Sequence, residues 1–174
     1  MTVDFDRLWG LVTEQFHAQG YSVHGPDHWR RFERNRLLLA TRTGADIAVV
    51  RLFAIFHDSR RENDGWDDNH GARGAEYAAT FRGTAYELPD ERFELLRYAC
   101  IWHTDARHHD NPTIATCWDA DRLDLGRVGI IPHSAFMSTD FGREIATYGS
   151  IQPFVDAAVN EKPNAPHSSV RVQI

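Results

Sequence analysis

Lysine is almost missing from this chain: of its 19 Lys and Arg residues, only Lys162 is a lysine. The cations are therefore guanidiniums, which suit two-pronged contact with phosphate or carboxylate; a GC-rich coding bias accounts for the total equally well. Cysteine is nearly as scarce. Cys100 and Cys117 stand alone, with no CxxC spacing, which excludes a disulfide framework and reads as reduced, intracellular thiols. The first residues, Met-Thr-Val-Asp-Phe-Asp, lack the basic and apolar stretches of a signal peptide. No apolar run approaches about 20 residues, so no membrane-spanning helix is expected, and the default location is cytoplasmic. A net charge of −6 speaks against a general nucleic-acid or membrane-surface binder. Internal repeats, low-complexity segments and alternating strand patterns are also missing.

The 174 residues, 42% hydrophobic and 25% charged, suit one globular domain with a sizeable core. Helical spacing dominates. The pattern predicts an all-α bundle of about six or seven helices over 1–150. A polar extension of low order follows over 151–174. A first helix is expected over 3–19, with Leu8, Leu11, Val12 and Phe16 on its apolar face. Pro26 then suits a helix start and Gly44 a stop. A central helix is expected over 45–58, a polar loop over 59–69, and a helix opening at His70 with Asn69 as its cap. Further helices are expected over 90–104 and 113–126, separated by a polar loop over 104–112. A weaker one falls near 134–147. Signals fade from residue 150, and 161–174 reads as a tail.

The central stretch carries the chemistry. Ile47, Val50, Ala54 and His57 share one helical stripe, so a histidine stands where the next core residue belongs, with Asp58 beside it. Burying both is costly unless something pairs with them. A divalent cation does so, because neutral imidazole and carboxylate are good ligands. The same oddity recurs elsewhere. His28 lies on a stripe with Phe32, Asn35 and Leu39, His103 completes Phe93, Leu96 and Cys100, and Asp121 joins Ile114, Trp118 and Leu125. Singly, each is more often a hydrogen-bonded core residue than a ligand. Together, on separate helices, they point to a metal site built in a bundle.

The residues His24-Gly-Pro-Asp-His28-Trp-Arg-Arg31, Phe56-His57-Asp58 and Trp118-Asp119-Ala120-Asp121-Arg122-Leu123 resemble, in that order, the motifs of the HD-domain superfamily of metal-dependent phosphohydrolases. The resemblance spans roughly 20–130. It implies an HD-like helical bundle and a divalent metal (Mn, Mg, Ni, Zn or Fe) held by His28, His57, Asp58 and Asp121. Asp119 competes with Asp121 for the last place. The Ala-Asp-Arg-Leu segment and the apolar stripe favour Asp121, leaving Asp119 and Asp124 solvated or paired with arginine. His24 competes less strongly with His28. By the same resemblance, His70 and His103 are candidates for a second metal or for phosphate contact.

A bound metal makes hydroxide available near neutral pH and offsets charge on a phosphoryl oxygen. The expected activity is hydrolysis of a phosphate ester in a small nucleotide or related metabolite. Asp58 binds metal and orients water, or bridges two metals. Arg31 and Arg122 are candidates to hold the phosphate or steady the carboxylates, and Arg60, Arg61 and Arg73 to contact substrate. Surface ion pairing is the plainer role for at least half of these arginines. His108 and His109 either supplement the site or belong to a polar loop, and His17, His133 and His167 read as structural or surface residues. Two other readings stand beside the first. The series His28, His57, Asp58, His70, His103, Asp121 also satisfies the six-ligand pattern of di-iron HD-type oxygenases. A non-catalytic nucleotide- or metal-binding regulatory domain is the third.

Overall fold

The structure is a computed structural model and describes residues 3–16 and 26–160, without the side chains of 26–34, 127–128 and 159–160. The expectations for the tail at 161–174, for His17, His24 and His167, and for the side chains of His28 and Arg31 lie outside the described residues. Eight α-helices occur among the described residues: α1 (Phe5–Glu14), α2 (Pro26–Thr43), α3 (Ile47–Phe56), α4 (His70–Phe81), α5 (Asp90–Trp102), α6 (Pro112–Leu123), α7 (Asp140–Tyr148) and α8 (Gln152–Asn160). Two short 3-10 turns, Asp124–Val128 and Ser134–Phe136, link α6 to α7. The all-α expectation holds, with seven of these helices within 1–150 and α8 beyond it.

The axis of the bundle is α3. Its start is fixed by Asp46, whose side chain accepts from the Ala48 and Val49 amides at 3.0 and 3.2 Å. The Asp46 carboxylate also takes two bonds from Arg92 of α5, each 2.5 Å. Burial works against its charge, but those bonds hold its pKa below the usual carboxylate range. Val49, Val50 and Leu52 to Phe56 are all buried, because α2, α5 and α6 enclose the helix with support from α4 and α1. Each large side chain sealed there contributes about 1.5–3 kcal/mol. Ile47 departs from the expected stripe, being 52% exposed. It opens the helix at the edge of the bundle, before the neighbours close in. His57 is thus buried because it follows the enclosed end of α3, rather than through membership of one apolar stripe.

Small residues set how closely α4 approaches. A Cβ on Gly71 would strike the Cys100 carbonyl oxygen, and one on Gly74 the Phe56 carbonyl oxygen. Backbone-to-backbone packing here brings the start of α4 against the ends of α3 and α5. Asn69 precedes α4 but makes no side-chain capping bond, contrary to its expected role. At the end of α2 the expected stop is present, with Gly44 at φ +70°. Helix α1 ends at Glu14, earlier than expected. The Gln15 carbonyl beyond it accepts from Arg60, so a tertiary contact holds the exit. Where the sequence signal fades, α8 forms and buries Val155, and its Phe154 packs edge-on against Phe141 and Tyr148 of α7. Cys100 and Cys117 are buried free thiols. No helix among the described residues is long and apolar enough to cross a membrane.

Candidate metal centre

Three helix ends meet at Asp58. His57 follows α3, His70 opens α4 and His103 follows α5; all three are buried, as is Asp58. Each imidazole is pinned the same way. His57 Nδ1 lies 3.0 Å from the Phe53 carbonyl oxygen, His70 Nδ1 2.5 Å from that of Asp67, and His103 Nδ1 2.7 Å from that of Cys100. A carbonyl only accepts, so each Nδ1 carries the proton and donates. Each Nε2 is left to present a lone pair. This is the orientation that outer hydrogen bonds impose on metal-binding histidines.

The Nε2 atoms gather on the two oxygens of Asp58. His70 Nε2 and His103 Nε2 lie 3.3 and 3.6 Å from Oδ1, while His57 Nε2 lies 3.6 Å from Oδ2. Asp121 Oδ1 is 3.8 Å from His57 Nε2. Asp58, His70 and His103 offer ligand atoms all within 4.8 Å of one another. Ligands about 2.0–2.2 Å from a zinc-like ion stand roughly 3–3.6 Å apart, so the observed spacings suit one cation. The donor set therefore fits a divalent metal, and Asp58 faces a second group, His57 with Asp121, through its other oxygen.

The electrostatics point the same way. His70 Nε2 and His103 Nε2 are 2.9 Å apart, a repulsive meeting of two lone pairs unless a proton or cation lies between them. Burial and the charge of His103 push the His70 pKa down. Burial also opposes a charged His103, yet the hydrogen bond it donates to Asp58 and the charges of Asp121 and Asp58 raise its pKa.

The other expected site residues divide. Arg61 reaches the centre: its Nη1 is 3.4 Å from Asp58 Oδ1 and 3.1 Å from His70 Nε2. Burial lowers the Arg122 pKa, and Arg122 lies near enough to Asp119 and Asp121 for their charges to act against that shift. Its guanidinium is committed to the carbonyls of Ala106, Arg107 and Phe136, tying the 104–112 loop and the second 3-10 turn to α6. Arg73 lines, with Arg60 and Arg61, a pocket of about 510 Å³. Its Nη2 grips both Asp67 oxygens at 2.7 and 2.6 Å, and its Nε donates to the Arg60 carbonyl, so it braces the 59–69 loop. Arg60 turns away to Gln15 and stacks over the Tyr77 ring at 3.5 Å. His28 lies in the first turn of α2 by its backbone.

Asp119 is not solvated, and the nearby Arg122 charge acts against the rise that burial imposes on its pKa. It is fully buried and accepts from the Ser138 amide, the Thr139 amide and the Thr139 hydroxyl, each at 2.7 Å. Burial raises its pKa in spite of those bonds. Its oxygens are spent on the entry to α7, and it is Asp121 whose carboxylate lies beside His57. Asp124 is buried as well, against the solvated reading. His108 bonds the Ala135 carbonyl, and the His109 ring packs against Tyr98 and Trp118, so neither supplements the centre. His133 accepts from the Ala135 amide, a structural role.

Two contributors were not found from the sequence. Asp67 orients His70 through its backbone carbonyl, and a carbonyl's direction is invisible to residue type. Thr104 Oγ1 lies 3.4 Å from His70 Nε2; its one hint was a place directly after His103.

No family model matches the sequence, and no curated protein matches it. A solved structure described as a predicted HD superfamily hydrolase, from an uncultured Thermotogales bacterium, is similar in fold. It aligns over 89% of this chain and 88% of that chain, with a TM-score of 0.64 and 24% sequence identity. The two chains share the HD-type all-helical fold.

Proposed function

We propose that this chain is a metal-dependent phosphohydrolase of HD type, acting on a phosphate ester of a small nucleotide or related metabolite. The observation that carries the reading is the convergence of three carbonyl-pinned imidazoles on the two oxygens of one buried aspartate. The fold shared with a solved structure described as a hydrolase supports it. His57, Asp58 and Asp121, with His28 by its place in the sequence, would hold one divalent cation, and Asp58, His70 and His103 a second. Such a cation supplies hydroxide near neutral pH and offsets charge on a phosphoryl oxygen.

The chain's own residues do the positioning. The Phe53, Asp67 and Cys100 carbonyls fix the tautomers. Phe53 stacks on the His57 ring at 4.7 Å and keeps that side of the centre dry. Arg61, already against Asp58 and His70, is the guanidinium placed to meet a phosphate. The reading takes a small phosphate ester as the partner, with no nucleic acid or membrane, in the cytoplasm.

Elemental analysis of the native protein tests the metal, and a panel of phosphomonoesters and phosphodiesters with that metal restored tests the chemistry. Turnover that a chelator abolishes is expected. A metal-loaded protein inert across the panel would sink the reading. The two-sided use of Asp58 favours one rival, a pair of irons acting with oxygen on an organic substrate. Two irons per chain, oxygen consumption and no phosphate release would decide for it.

A further inference from the structure

Trp66 is 84% exposed and makes no ring contact among the described residues. A lone exposed aromatic needs no explanation by itself; its setting does. It lies on the 59–69 loop, which is tied down rather than loose. Arg61 Nη2 donates to the Gly65 carbonyl at 2.8 Å and Arg61 Nε to the Asn63 carbonyl at 3.2 Å. The Gly65 amide donates to Asn63 Oδ1, and the Glu62 amide to Asp67 Oδ2. The guanidinium that touches Asp58 and His70 therefore also fixes the residue before Trp66, so the backbone that carries the indole is tied to the candidate metal centre.

Between them lies a cleft of about 60 Å³, lined by Arg61, Trp66, Asp68, His70, Thr104 and Asp105. It takes the edge of a ring rather than a whole nucleotide. Neither the Asp68 nor the Asp105 carboxylate makes a hydrogen bond or ion pair among the described residues. The cleft brings together one candidate metal ligand, His70, with a guanidinium, two carboxylates and an exposed aromatic side chain. Those groups suit, respectively, a phosphate, the amino-bearing edge of a base, and the face of its ring.

We propose that Trp66 is the platform on which the substrate's nucleobase stacks, with Asp68 and Asp105 accepting from an exocyclic amino group on the base edge. The proposal rests on the phosphohydrolase reading and adds its specificity: bases bearing an amino group, such as adenine and cytosine, are preferred over uracil. Trp66 acts on binding and takes no part in bond breaking.

The test compares AMP, CMP, UMP and ribose 5-phosphate as substrates of the metal-loaded full chain. Trp66→Ala should raise KM for AMP and CMP by about tenfold, in line with the loss of one base–aromatic stack. It should leave kcat within about twofold and ribose 5-phosphate turnover unchanged. Trp66→Phe should restore most of the loss. The double variant Asp68→Asn, Asp105→Asn should erase the preference over UMP. Equal KM for AMP and ribose 5-phosphate in the unaltered protein, or a Trp66→Ala effect that falls on both alike, overturns the proposal while the phosphohydrolase reading survives. No turnover of any of the four overturns the proposal, and the phosphohydrolase reading falls with it only if the wider panel of phosphomonoesters and phosphodiesters is inert as well.

Discussion

Asp119 and Asp121 lie two residues apart in α6, about 200° around the helix, and meet different surroundings. The Asp119 carboxylate is sealed inside, where it satisfies two backbone amides and a hydroxyl at the start of α7. Asp121 faces His57 with its side chain 18% exposed. The two truncations should therefore have opposite consequences. Asp119→Ala strands two N–H groups and should cost about 2–4 kcal/mol of stability, with metal retained by the folded fraction. Asp121→Ala removes one ligand from the rim and should cost under about 1 kcal/mol while weakening metal binding. Urea unfolding paired with elemental analysis checks both. A folded Asp119→Ala protein that has lost its metal would return the last ligand place to Asp119.

At the scale of elements, the centre depends on how closely helices can approach. Gly74 lets α4 lie against the Phe56 and His57 carbonyls at the end of α3, so one added methyl presses on the peptides that carry His57 and Asp58. Alanine is the better helix former by about 0.5–1 kcal/mol, but the collision should outweigh that gain by about 1–3 kcal/mol. Gly74→Ala should thus lower the melting temperature and weaken metal binding together. Gly10 in α1 has open space where a Cβ would go, so Gly10→Ala should be neutral or stabilising. If Gly74→Ala behaves like Gly10→Ala, the close approach does not matter. The small residues of α4 were legible in the sequence, as were the Pro26 start and Gly44 stop of α2 and the His-Asp pair after α3. Those features are local. The fates of Arg73 and Arg122 were not legible, because a guanidinium bonds wherever its long stem reaches and its partners lie in other loops. Asp119 was misread for the same reason: its three donors come from residues 138 and 139, some 20 positions away. Helix α8 gave little warning, since its apolar contact with α7 is made only after the chain folds back.

For the whole molecule, the centre is a place where the fold stores unresolved polarity, and this links stability to metal and to pH. A ligand that binds only the folded state stabilises it, by about 2.7 kcal/mol at a free concentration a hundredfold above its Kd. For a domain of this size that is roughly 5–10 °C in melting temperature. The pH dependence follows from the histidines. The His103 pKa is raised, so its proton stabilises the metal-free fold below the ordinary histidine value of about 6.5, and that contribution is lost as pH rises through the raised folded value. The His70 pKa is lowered, chiefly by burial, so its contribution has the opposite sign and is lost as pH falls below the ordinary histidine value. A metal must displace the His103 proton to bind. The gain in melting temperature on adding metal should accordingly be small near about pH 5.5 and grow toward about pH 8. Thermal melts of chelator-treated and metal-restored protein across that range measure it directly. A metal-induced shift of constant size would mean that the cation binds away from these imidazoles, and the convergence on Asp58 would then need another explanation.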